Sequence, residues 1–156
     1  MSVIERLTPY PHLRVLISGG AAGIGEIIAA AYIEAGAQVH VCDVSQEAIA
    51  AFLDRHPEAT ATRADVADAA QVAEVFAVQR GRFGGLDVLI NNAGIAGPTA
   101  GVDRISDEDW QRTVEINLTG QYRFAHHAVA LLRESSHGHL IQIASVAGRL
   151  GYAWRT

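Results

Sequence analysis

Lysine is absent from this 156-residue chain: all 12 of its Lys/Arg positions are arginine. A reaction that needs a lysine cannot be run by these residues alone. Cysteine occurs once, at Cys42, which excludes an intrachain disulfide and a cysteine-built zinc site. Long apolar runs are missing too. A stretch such as Ile27–Ile33 falls far below the roughly 18–20 residues that cross a bilayer, so no membrane partner is expected. Positive charge is not in excess: the net charge is -5, which argues against non-specific nucleic-acid binding. The opening MSVIERLTPYPHLRV has no basic start, apolar block and small-residue cleavage site, so no secretory signal is expected. His137 and His139 have a spacing that could chelate, but no third ligand accompanies them, and His126 and His127 point to different helix faces. No metal is expected.

What is present is apolar patterning. Apolar residues make up 49% of the chain and charged ones 19%, too apolar a mix for a disordered segment. The length suits one domain, which buries roughly 68–70% of the unfolded chain's surface. A soluble, cytoplasmic globular protein is the expectation. Five short apolar runs read as strands: Leu13–Ser18, Gln38–Cys42, a third from Thr60 ending near Asp65, Leu86–Ile90 and Leu140–Ala144. Helical patterns separate them, over Gly23–Ala35 (stopped by Gly36), from Ser45 as cap to about Arg55, and from about Ala67 to Arg82. Ser106, with Asp109 three residues on, resembles a capping box that opens a long helix to about Glu134. Strict alternation of strand and helix predicts an α/β fold, a doubly wound parallel sheet covered on both faces.

Several segments point to chemistry. The first strand runs into Ser18-Gly19-Gly20-Ala21-Ala22-Gly23-Ile24-Gly25 and then directly into a helix. Glycines permit a tight turn and close approach to a phosphate, and the helix start favours an anion. Read alone, the same run also suits a plain strand-to-helix turn. Asp43 ends the second strand, 18 residues after Gly25. A carboxylate there can accept from adenosine ribose hydroxyls and would repel a 2′-phosphate, which favours NAD over NADP. Asp43 could instead cap the next helix, although Ser45 is better placed for that. Gly94–Gly101 is a glycine-rich loop past strand four, where such sheets bind ligands, or simply a surface loop. In the long helix, Trp110, Val114, Leu118, Tyr122, Ala125, Val129 and Leu132 form one apolar stripe. Asn117 flanks it, with its amide turned inward and in need of partners, and Trp110 reads as a core anchor. A second apolar line, Ile116, Gly120, Phe124 and Leu131, is interrupted by His127.

Asp65-Val66 after strand three, Asn91-Asn92-Ala93-Gly94 after strand four, Asn117 in the long helix and Ser145 ending strand five complete a set whose order and spacing resemble the short-chain dehydrogenase/reductase family. The likeness runs from about Leu13 to the last residue and is to the type that opens TGxxxGIG, with Ser18 replacing the usual threonine. It implies a Rossmann-type NAD-binding domain and a small-molecule alcohol or carbonyl substrate. Gly19, Gly23 and Gly25 would hold the pyrophosphate, and Ile24 would lie near the nicotinamide side. Asp65 would hydrogen-bond the adenine, with Val66 against it. Asn91 to Gly94, Ala93 included, would brace the central strand and contact the adenosine-side ribose. Asn117 would hold a water of a proton relay, and Ser145 would bind the substrate oxygen. One face of the long helix would meet a neighbouring subunit in a homo-oligomer, a dimer or tetramer.

The family's catalytic Tyr-x-x-x-Lys has no counterpart. Tyr152 lies only seven residues after Ser145, and Thr156 stands four beyond it. The sequence therefore reads as a single domain over 1–156, incomplete at its C-terminal side and cut just before the expected tyrosine. Three functions fit: an NAD-dependent oxidoreductase whose tyrosine and lysine lie beyond Thr156, a non-catalytic dinucleotide-binding module, or a fragment that works with a second chain.

Overall fold

A computed structural model describes Tyr10 and residues 12–154. Thr156, the position four beyond Tyr152, lies outside them. Five parallel strands form one sheet in the order β3-β2-β1-β4-β5. They are β1 (Arg14–Ser18), β2 (Gln38–Asp43), β3 (Thr60–Arg63), β4 (Val88–Asn91) and β5 (His139–Gln142). The chain builds outward from β1 in one direction, then returns to build on its other side. The strand order therefore reverses between β1 and β4, and the carboxyl ends of those two strands flank a crevice.

The crossovers are α1 (Gly23–Glu34), α2 (Gln46–Arg55) and α3 (Ala69–Phe83). Their ends follow from side chains. Ser45 Oγ accepts from Ala48 N–H at 3.1 Å, and Asp68 Oδ1 accepts from the N–H groups of Ala70 and Gln71 at 2.8 and 3.1 Å. Gly84, at φ +70°, closes α3. Alternation along β1 splits the core in two. Leu16 joins Phe76, Leu89, Phe124 and Leu131 on the face covered by α3 and the long helix, whereas Val15 and Ile17 join Ala29, Ile49, Phe52 and Ile90 on the face covered by α1 and α2. The Phe76 and Phe124 rings meet edge to face at 5.4 Å.

The long helix departs from the uniform one expected. It comprises α4 (Asp107–Val114), a π-helical segment Glu115–Gly120, and α5 (Gln121–Glu134). Ser106 Oγ does accept from Asp109 N–H at 3.1 Å. The inward face, however, is the line Ile116, Gly120, Phe124, Ala128 and Leu131, all buried. The stripe from Trp110 through Leu118, Tyr122 and Val129 faces outward; Trp110 is 52% exposed and Leu118 67%, so Trp110 is not a core anchor. The extra residue of a π segment shifts the phase of everything after it. Gly120 sits in the segment because a Cβ there would lie 2.9 Å from Val66 Cγ2.

At the amino ends of the central strands, Asp87 gathers the scaffold. Its carboxylate accepts from Arg14 Nε at 2.8 Å, Arg14 Nη2 at 2.7 Å, Arg14 N–H at 2.8 Å and the Ser135 hydroxyl at 2.5 Å. Its backbone carbonyl accepts from His139 N–H at 2.8 Å. One residue thus ties β1, β4 and the entry to β5. Gly85 makes room for this, since a Cβ there would lie 2.1 Å from the guanidinium of Arg14. The guanidinium holds the Asp87 carboxyl well below the usual carboxylate range. Asp87→Asn is expected to lower the unfolding free energy by about 2–3 kcal/mol in urea denaturation. Asp103→Asn, in the exposed pair with Arg104, should change it by less than about 1 kcal/mol.

Candidate functional site: a two-part cleft at the carboxyl edge of the sheet

The glycine turn is held from behind by the end of β4. Ser18 is buried, and its hydroxyl accepts from the N–H groups of Asn92 and Ala93, each at 3.1 Å. The Asn92 amide donates to the carbonyls of Ser18 at 3.2 Å and Gly19 at 2.8 Å. Gly20 N–H donates to Cys42 O at 3.2 Å, which ties the turn to β2 as well. Within this clamp Gly19 takes φ +60°. Gly25 packs so closely that a Cβ would lie 2.1 Å from Gly19 O and 2.6 Å from Asn92 Nδ2. The first turn of α1 therefore lies directly on the loop, its backbone N–H groups at the cleft's edge. Beneath the turn, full burial pushes the Cys42 thiol up to about 12, so it packs as a neutral thiol rather than reacting as a thiolate.

In front of the turn lies a cleft of about 440 Å³ lined by Gly19, Ile24, Asp43, Asp65, Val66, Ala93 and Gly94, all named from sequence, together with Ala22, Val44, Ala64, Asn92, Ile95, Arg112 and Ile116. The far walls carry the two carboxylates. Asp43 Oδ1 accepts from Ser45 N–H at 3.1 Å and Oδ2 from Ala21 N–H at 3.4 Å. Asp43 thus stands between the glycine turn and the start of α2, while Ser45 does the capping. Asp65 Oδ1 accepts from Ala67 N–H at 2.9 Å, and its Oδ2 lies 3.6 Å from Arg112 Nη2. Val66 and Ile116 form an apolar floor between them.

A second cleft, of about 370 Å³, adjoins the first through the shared residues Asn92, Ala93, Gly94 and Ile95, and its walls include Asn117, Gln142 and Ser145. Asn117 lies inside the π segment. Its Oδ1 accepts from Ile95 N–H and its Nδ2 donates to Ile95 O, both at 2.8 Å. The amide's partners are therefore one residue of the glycine-rich loop, which it pins at the cleft wall. Gly94 passes close enough that a Cβ would meet Asn117 Oδ1 at 3.2 Å. Asn91 is buried below, donating from Nδ2 to Gln121 O at 3.1 Å, where the π segment ends. Ser145 does not end the strand as expected: β5 stops at Gln142, and Ser145 is exposed three residues on, where it caps a 3-10 turn over Val146–Gly148. Its Oγ accepts from Ala147 N–H at 3.1 Å, which leaves the hydroxyl proton available to a ligand.

The structure thus brings Gly19, Ile24, Asp43, Asp65, Val66, Ala93 and Gly94 into one cleft and Asn117 and Ser145 into its neighbour. Ser18, Gly25 and Asn91 support from below. Sequence reasoning missed the separate task of Asn92 and the presence of Arg112. The doubled asparagine signalled the first, because neighbouring strand residues face opposite ways. Nothing local signalled the second.

Known proteins share this fold. A family model described as short chain dehydrogenase matches residues 14–156. The chain is 33% identical over 136 residues to 2-dehydro-3-deoxy-L-rhamnonate dehydrogenase (NAD(+)) of a Sphingomonas strain, covering 87% of this chain and 55% of that one. A crystal structure of levodione reductase superposes with a TM-score of 0.89 at 32% identity, over 95% of this chain and 60% of that one. An actinorhodin polyketide ketoreductase variant solved with NADPH gives a TM-score of 0.86 at 30% identity, over 92% and 57%. The chain spans 53% and 58% of two further curated relatives it matches.

Gly25→Ala is expected to cost about 1–3 kcal/mol, read as a lower melting temperature, because the turn must shift to admit the methyl group. Gly81→Ala, with open space at its Cβ, should instead stabilise α3 slightly.

Proposed function

The chain belongs to the short-chain dehydrogenase family, and we propose that it is the cofactor-binding part of an NAD(H)-dependent oxidoreductase acting on a secondary alcohol or carbonyl group of a small molecule. The observation that carries this reading is the clamped glycine turn facing Asp43 across one cleft. The residues present fit a dinucleotide. The turn offers backbone N–H groups to a pyrophosphate: the close packing of Gly19 and Gly25 shapes the turn, and a Cβ at Gly23 would face open space. Asp43 accepts from the ribose hydroxyls and its charge disfavours a 2′-phosphate. Asp65 takes the adenine amino group over the Val66 floor, and Asn91 to Gly94 brace the ribose side. The nicotinamide half then lies past Ile24 toward the second cleft. When bound, the dinucleotide supplies a hydride acceptor or donor at C4 of its nicotinamide.

In the second cleft the Ser145 hydroxyl donates to the substrate oxygen, while Asn117 fixes the loop beside it and holds the relay water. A positioned acid–base group contributes roughly 10²–10⁴-fold in rate. No lysine is present to tune one. We place the Tyr-x-x-x-Lys pair in sequence following Thr156, so residues 1–156 form a binding domain without the proton-transfer group. The outward stripe of Trp110, Leu118, Tyr122 and Val129 supports a homo-oligomer built on the long helix. A cytoplasmic setting, where the dinucleotide is plentiful, belongs to the same reading.

Calorimetric titration tests the proposal. The 156-residue chain should bind NAD weakly and more tightly than NADP. Asp43→Ala should weaken NAD binding about tenfold and narrow the gap to NADP. The same chain should give no turnover of NAD with a panel of secondary alcohols. Robust turnover would overturn the division of labour, and unchanged selectivity in Asp43→Ala would remove Asp43 from its role. Binding without turnover by the longest native form of the protein would favour a non-catalytic dinucleotide-binding module.

A further inference from the structure

Resting on the dinucleotide reading above, we infer that Arg63 is a second cofactor-selectivity residue: together with backbone around Asp43 it forms a latent 2′-phosphate site that Asp43's own carboxylate now fills. Sequence offers no arginine in the glycine turn or directly after Asp43, so Arg63 is invisible as a phosphate ligand until the sheet is assembled. The β2–β3 register pairs Asp43 with Arg63. Paired residues of parallel strands leave the sheet on the same face, so the arginine stands beside the carboxylate. Arg63 Nε donates to Val44 O at 3.2 Å, which anchors the guanidinium at the rim of the first cleft next to the half-exposed Val44 wall. Arg63 forms no ion pair among the described residues, in contrast to Arg14, Arg55, Arg112 and Arg123.

Asp43 meanwhile behaves as a resident anion. Its two oxygens accept from N–H groups that converge from different elements, Ser45 at the start of α2 and Ala21 in the glycine turn. A ribose seated against Asp43 would direct a 2′-phosphate outward past it, toward Val44 and the anchored guanidinium. With the carboxylate in place that phosphate meets a like charge. With it removed, the phosphate finds the freed Ser45 N–H at a helix start and an arginine held in position. Selectivity in this protein is then a balance between one repulsive and one attractive side chain, and removing the first tilts it toward the phosphate.

The test is calorimetric binding of two probes, 5′-AMP and 2′,5′-ADP, to the full-length protein and its variants. The wild type should prefer 5′-AMP. Asp43→Ser should shift the affinity ratio toward 2′,5′-ADP by at least about tenfold. Adding Arg63→Gln should take back most of that shift, and adding Arg63→Lys instead should keep much of it. Asp43→Asn should show the same dependence on Arg63 and serves if the serine variant fails to fold. A shift that survives Arg63→Gln, or no shift in either Asp43 variant, would overturn the role of Arg63 while leaving the adenosine site intact. Failure of the wild type to bind either 5′-AMP or NAD would instead remove the dinucleotide reading, and this inference with it.

Discussion

The buried contact between the end of β1 and the end of β4 governs the rest of the molecule. Ser18 gives one hydroxyl oxygen to two backbone donors, and Asn92 gives one amide to two backbone acceptors. Together they satisfy polar groups that neither turn could pair alone. Leaving such groups unpaired costs roughly 1–3 kcal/mol each. The glycine turn therefore has one conformation in which its backbone is satisfied, and that conformation turns the start of α1 toward the cleft. The geometry of the first cleft is in this sense a consequence of the hydrogen bonds beneath it.

That contact works only if β1 and β4 stay in register, and the opposite end of the sheet secures this. Arg14 and Asp87 lock the first residues of the two strands, Val15, Leu16 and Ile17 then pair with Val88, Leu89 and Ile90, and Ser18 arrives opposite Asn91. A slip of one residue would exchange the faces of Leu16 and Ile17 and empty both halves of the core. The scaffold and the site are thus one mechanical unit, with an ion pair at one end and a clamp at the other.

Much of this was legible in the sequence because it is local. Compact apolar runs gave the strands to within a few residues, Ser45 and Ser106 marked helix starts through short-range caps, and the spacing from glycine turn to Asp43 to Asn91-Asn92-Ala93-Gly94 brought the family's pattern into view. What could not be read depended on distant packing. The long helix offers two apolar lines, and periodicity does not say which faces inward. Contact of Gly120 with Val66, across the gap from β3 to the helix, goes with the π segment that separates them. The helical pattern turns Asn117 inward in need of partners but does not say which: they are the backbone groups of Ile95, in a loop whose position only the fold supplies. Arg63 acquires meaning only through its strand register with Asp43.

The most direct check of the central claim is amide hydrogen exchange of the protein with and without NAD. Dinucleotide seated on the clamped turn should slow exchange in residues 19–25 and around Asp43–Ser45 and Asp65–Val66, while the outward helix stripe near Leu118 and Tyr122 stays unchanged. Protection elsewhere, or none at saturating NAD, would contradict the account.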